Sequence, residues 1–107
     1  MKKLLILFLL YFANDLQAQI QYKGFVYDSL SKAVLNTVRI ENLTTHEGTF
    51  TNNIGYFEIE AKENDFLVFS MFSYKNKIIQ VSANDNGSYR SVFLKSAPIM
   101  LKDITIK

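Results

Sequence analysis

From residue 20 onward the chain is written in short runs of alternating apolar and polar residues, separated by knots of Asn, Asp, Gly and Ser. A period of two puts successive side chains on opposite faces, so each run predicts a half-buried β-strand. Residues 20–28 predict a first strand rich in aromatic and β-branched positions, and Gly24 inside it marks a bulge or a close backbone approach. A turn is expected over residues 29–33, a second strand around Leu35, Val38 and Ile40, and a polar loop over residues 42–47. Residues 48–59 carry the densest pattern: two alternating runs flank Asn52, Asn53 and Gly55, which reads as a β-hairpin with side-chain-bonded and left-handed turn positions. In its second arm Phe57, Ile59 and Ala61 alternate with Tyr56, Glu58 and Glu60, one face apolar and the other acidic.

Residues 65–74 break the alternation. Leu67, Phe69 and Met71 fill one face while Phe66, Val68 and Phe72 fill the other. A strand apolar on both faces is covered twice or presented to a partner, so Phe66, Val68, Phe72 and Tyr74 form the candidate interaction face. Two further strands are expected at residues 78–81 and 91–94, with Asn86-Gly87 between them as a hairpin signal. Pro98 then interrupts the pattern, and residues 99–106 resume it as a segment that pairs at an edge or outside the domain. About seven strands at roughly 8 to 12-residue spacing, with no amphipathic helical period, predict an all-β sandwich.

The first 18 residues are of another kind. Lys2 and Lys3 precede nine consecutive apolar residues, 4–12, and then a polar stretch ending Leu16-Gln17-Ala18. This is the order of a secretory signal peptide, and nine residues fall short of the about 20 that cross a bilayer as a helix. The expected organisation is a signal peptide over 1–18, a sandwich over 19–95, and a linker with a terminal strand-like segment over 96–107. Past residue 18 ten basic side chains face nine acidic ones, scattered rather than clustered, which gives no footprint for nucleic acid. The chain has no cysteine, so disulfides, thiolate metal sites and a lipid-modified N-terminal Cys are excluded. An exported domain this small must hold together by its core alone.

The series Gly24-x-Val26-x-Asp28, Leu35-x-x-Val38-x-Ile40, Gly48-Thr49-x-Thr51-Asn52-x-x-Gly55-x-Phe57-x-Ile59 and Asp65-x-Leu67-Val68-Phe69-Ser70 resembles the carboxypeptidase regulatory-like domain. The resemblance covers about residues 21–81 and implies a seven-stranded Greek-key β-sandwich of transthyretin-like type. Gly24, Asp28, Gly48, Thr51, Asn52, Gly55 and Phe57 are its fold-motif positions. Two departures stand out: the family usually has Asp at the place of Asn52, and often Gly-Tyr where this chain has Ser73-Tyr74. The variant it looks most like occurs in Bacteroidetes envelope proteins, before the plug of TonB-dependent outer-membrane receptors or in smaller exported proteins. In metallocarboxypeptidases the resembling domain is an accessory sandwich, and the zinc ligands belong to a separate domain.

Weighed residue by residue, the sequence offers no catalytic, cofactor-binding or metal site. His46, the single histidine, lies beside Glu47 in a polar loop, but zinc needs three or four protein ligands. Glu58, Glu60, Glu63 and Asp65 could hold calcium, yet strict alternation already requires polar residues at Glu58 and Glu60. Asp28, Asn52 and Asn53 are better suited to capping turns. The expectation is a non-catalytic, exported interaction module, periplasmic or outer-membrane associated, with no cofactor and no transmembrane segment after the signal peptide. Its partner would be an envelope protein, either an outer-membrane receptor or a downstream domain. Two alternatives are a glycan- or peptide-binding module using Tyr22, Tyr56 and Tyr74, and the accessory domain of a truncated exported peptidase.

Overall fold

A computed structural model describes residues 19–97. The expected signal peptide and the expected strand-like segment after Pro98 lie outside the described residues. Between them the chain forms β1 (Ile20–Asp28), β2 (Arg39–Asn42), β3 (Gly48–Phe50), β4 (Tyr56–Ala61), β5 (Phe66–Ser70), β6 (Lys77–Gln80) and β7 (Tyr89–Leu94), with one 3-10 turn at Ala83–Asp85. They make two sheets, ordered β4-β1-β7 and β3-β2-β5-β6, packed face to face as the sandwich that the alternation predicts.

Alternation decides which side chains meet between the sheets. Tyr22, Val26, Phe57, Ile59, Val92 and Leu94 come inward from the three-stranded sheet; Ile40, Leu67 and Phe69 come from the four-stranded sheet, and all are buried. Phe69 meets Phe57 edge-on at 5.3 Å, and Tyr22 stacks on Phe57 at 5.9 Å. Burying each such side chain contributes on the order of 1.5–3 kcal/mol.

The strands are right but some partners are not those expected. The two arms of residues 48–59 do not pair: β3 pairs with β2 in one sheet, and β4 pairs with β1 in the other. The stretch is therefore a crossover between sheets. Its turn chemistry is nonetheless the expected one, because Asn52 Oδ1 accepts from the N–H groups of Ile54 and Tyr56, each at 3.0 Å, and Gly55 takes φ +79°. Asn86-Gly87 likewise joins β6 to β7 across the sandwich, after the 3-10 turn capped by Ser82 and Asp85. The hairpins that do form are β2-β3 and β5-β6. β2 is also later and shorter than the run from Leu35 suggests, and it takes in Asn42. β5 ends at Ser70, so Phe72 and Tyr74 lie beyond it.

Candidate functional site

The fold-motif residues act by shaping strands and turns, the glycines through their missing side chains and the others through side-chain bonds or burial. Gly24 lies in the centre of β1, where no side chain would fit against Arg90 of β7. Thr51 is buried, its hydroxyl donating to the Leu35 carbonyl at 2.8 Å and accepting from the Val38 N–H at 2.9 Å. Gly48 begins β3 with little room beside the Ile40 carbonyl, and Phe57 is fully buried. Both family departures find a reason here. Asn52 works only as an acceptor, which an Asp would do equally, and Ser73 takes φ +71°, a conformation for which Gly is the natural residue.

Asp28 closes the β1-β2 turn by accepting from the N–H groups of Leu30 and Ser31, and its second oxygen takes the Tyr74 hydroxyl at 2.6 Å. The Tyr74 bond above all, then those two N–H groups, hold the carboxyl down at about 2. Tyr74, whose ring packs against the core, is pushed up by the same bond. A carboxyl lowered from 3.8 stabilises the fold fully above its unfolded value and loses that contribution as pH falls from about 4 to about 2. Tyr74→Phe should accordingly raise the Asp28 pKa, read by carboxyl NMR titration. The difference in Tm between wild type and variant should be constant above pH 5 and shrink below pH 4; a pH-independent difference would refute the linkage.

The other carboxylates remain apart. Asp65 turns inward: burial works against its charge, but bonds from the Asn42 amide at 3.0 Å and the Lys62 N–H at 2.9 Å outweigh it and lower its pKa. Glu58 and Glu60 stay on the exposed face, meeting Tyr56 and Gln21. His46 is exposed, with Nδ1 3.8 Å from Glu41. Among the described residues no group of three or more His, Asp or Glu converges on a metal position.

What the fold does assemble is surface. On the outer face of the four-stranded sheet, Phe66 and Val68 of β5 line up beside Ile78 of β6, which stands directly opposite Val68. Ile78 is 60% exposed, and Phe72, in the turn beyond β5, is 79% exposed. Tyr74 stands apart from this strip, tied to Asp28.

The outer face of the three-stranded sheet is aromatic. Phe25 lies 5.4 Å from Tyr56 and 6.3 Å from Tyr89, which are themselves 6.3 Å apart, and Tyr27 stacks on Phe93 at 5.4 Å. Lys23 Nζ stands 4.8 Å over the Tyr89 ring and Lys32 Nζ 4.9 Å over that of Phe93. Burial and the Glu58 bond push the Tyr56 hydroxyl up. Of the expected tyrosine platform only Tyr56 is here, because Tyr22 is buried in the core and Tyr74 is engaged at the turn. The signal for the rest was in β1 itself: Phe25 and Tyr27 alternate with Gly24 and Val26, so that strand too is apolar on both faces.

Comparison with known proteins gives this sandwich its relatives. The CarboxypepD_reg-like domain matches residues 22–106. The chain belongs to that family. Its match runs beyond residue 95, into the stretch that follows β7. This CarboxypepD_reg-like domain is also 32% identical over 89 residues to the TonB-dependent receptor SusC of Bacteroides thetaiotaomicron, an alignment covering 82% of the chain and 8% of the receptor. The domain thus spans a small fraction of the length of that relative.

Proposed function

We propose that this CarboxypepD_reg-like domain is a non-catalytic, exported accessory module of a bacterial envelope, working with a TonB-dependent outer-membrane receptor. The observation that carries the reading is the likeness to SusC across 82% of the chain. The strip formed by Phe66, Val68 and Ile78, with the exposed Phe72 in the turn beyond β5, is its docking surface; an apolar strip on an outer sheet face suits a protein partner. The module acts mechanically, by holding a partner, with periplasmic or outer-membrane location following from that partner. In-cell photo-crosslinking from Ile78 should yield adducts with receptor peptides, and crosslinking from Glu63 should not. Equal adducts from both positions, or none with a receptor, would defeat the proposal.

The aromatic outer face favours a second reading, a module that binds glycan or peptide. A group of three rings and a stacked pair, with Lys23 over Tyr89, Lys32 over Phe93 and Glu58 beside Tyr56, can stack on sugar rings and bond their hydroxyls. Binding lost on Tyr56→Ala with the fold intact, and unaffected by changes at Ile78, would favour it over protein docking.

A further inference from the structure

We infer that the cavity between the end of β7 and the start of β6 is a binding site for a phosphate group. It is an open cleft of about 350 Å³, lined among the described residues by Ser29, Lys75, Asn76, Lys77, Phe93 and Lys95, with Leu94 completing the wall. Among the described residues of that lining every polar side chain can donate a hydrogen bond, and none is a carboxylate.

The fold brings the backbones of these lysines together. Lys75 N–H donates to the Lys95 carbonyl at 2.9 Å, locking those two residues side by side, and the Ser29 N–H binds the Leu94 carbonyl at 2.9 Å to close the wall. Lys77 reaches across from β6 to the Phe93 carbonyl at 3.3 Å. Lys32 adds a fourth charge at the margin, with its Nζ on the Ser29 carbonyl at 2.6 Å and over the Phe93 ring. Among the described residues none of the four ammonium groups is ion-paired; the pairs present are Arg39–Glu41, His46–Glu41 and Arg90–Asp85. The nearest carboxyl along the chain, Asp28, is engaged by Tyr74 and by its own turn.

This concentration is not a consequence of overall charge. Residues 19–97 contain eight Lys and Arg against eight Asp and Glu, yet four of the six lysines gather at one end of the sandwich. Like charges held together in a concave site raise the local concentration of anions. A carboxylate would leave most of that charge uncompensated, whereas phosphate brings up to two negative charges and several acceptor oxygens to ammonium groups that act as point charges. The open mouth admits phosphate either free in solution or carried on a lipid headgroup.

The test is titration of the full chain, as exported and purified, with inorganic phosphate at ionic strength matched with chloride, followed by amide NMR. A parallel arm measures co-sedimentation with phosphatidylcholine vesicles containing or lacking phosphatidic acid. Saturable shifts at Lys75, Lys77, Phe93 and Lys95 assign the site to free phosphate. Sedimentation that requires phosphatidic acid, with no phosphate saturation, assigns it to a headgroup. In either case the double variant Lys77→Gln/Lys95→Gln should bind at least about tenfold more weakly while keeping the wild-type spectrum elsewhere. Failure of both arms, or binding unchanged in the double variant, would overturn the assignment.

Discussion

Replacing Gly24 with alanine is expected to remove a large part of the stability of the domain. A Cβ at this position would stand 1.9 Å from the Arg90 carbonyl oxygen and 2.7 Å from both the carbonyl carbon and the nitrogen of that residue. All three atoms are backbone, so no rotamer change relieves the clash. β1 is the middle strand of its sheet, antiparallel to β4 and parallel to β7, and moving it off Arg90 would disturb the inward rows on both sides. Arg90 is itself held from the other end by Asp85 and by the Asn84 carbonyl. Overpacking costs about 1–3 kcal/mol where side chains can yield, and a backbone clash belongs at or above the top of that range. Domains of this size hold only about 5–10 kcal/mol in total. Gly87→Ala is the control: Gly87, unlike Gly24, has positive φ, but nothing lies within 4 Å of its added Cβ, so that variant should lose only the left-handed cost of about 1 kcal/mol. Urea unfolding of the two variants decides the matter, and a Gly24→Ala loss no larger than that of Gly87→Ala would sink the argument.

Gly24 also shows what a sequence conveys about a sandwich. A glycine inside a strand pattern announces a close approach, and the structure supplies one, but nothing local says that the approaching strand is β7, some 65 residues later. The same limit explains residues 48–59. Asn52 and Gly55 specify a turn, and the turn forms; pairing of the two arms depends on which sheet each arm's inward residues complete, a tertiary matter. Phe57 and Ile59 complete the row of Tyr22 and Val26, whereas Gly48 and Phe50 pair with β2. For the surface the difficulty is reversed. Double-faced apolar character in β5 was legible and led to Phe66 and Val68, yet equal character in β1 yields the larger aromatic face only when Tyr56 of β4 and Tyr89 of β7 arrive beside Phe25. The lysine cavity left no sequence signal, since Lys32, Lys75, Lys77 and Lys95 come from three separate stretches.

Thr51→Val should be nearly as damaging as the glycine change, although it preserves shape and volume. The Thr51 hydroxyl is the partner of two backbone groups at the entry to β2, the Val38 N–H and the Leu35 carbonyl, and its own N–H and carbonyl bind the Val38 carbonyl and the Thr37 N–H. Thr37 is meanwhile held at φ +56°, an unfavourable conformation for a β-branched residue that persists only while its neighbours are fixed. Valine would keep the backbone bonds and the packing but leave a buried donor, the Val38 N–H, and a part-buried acceptor, the Leu35 carbonyl, without this partner. A buried unsatisfied group costs about 1–3 kcal/mol and the part-buried carbonyl belongs at the low end of that range, so a loss of about 2–4 kcal/mol is expected. With a urea m-value on the order of 1 kcal/mol/M, the unfolding midpoint should fall by at least about 2 M with the slope unchanged. Thr51→Ser retains the hydroxyl and gives up one methyl, costing about 1 kcal/mol. The ordering is the decisive part: were Val milder than Ser at this position, packing and not the two hydrogen bonds would be what Thr51 contributes.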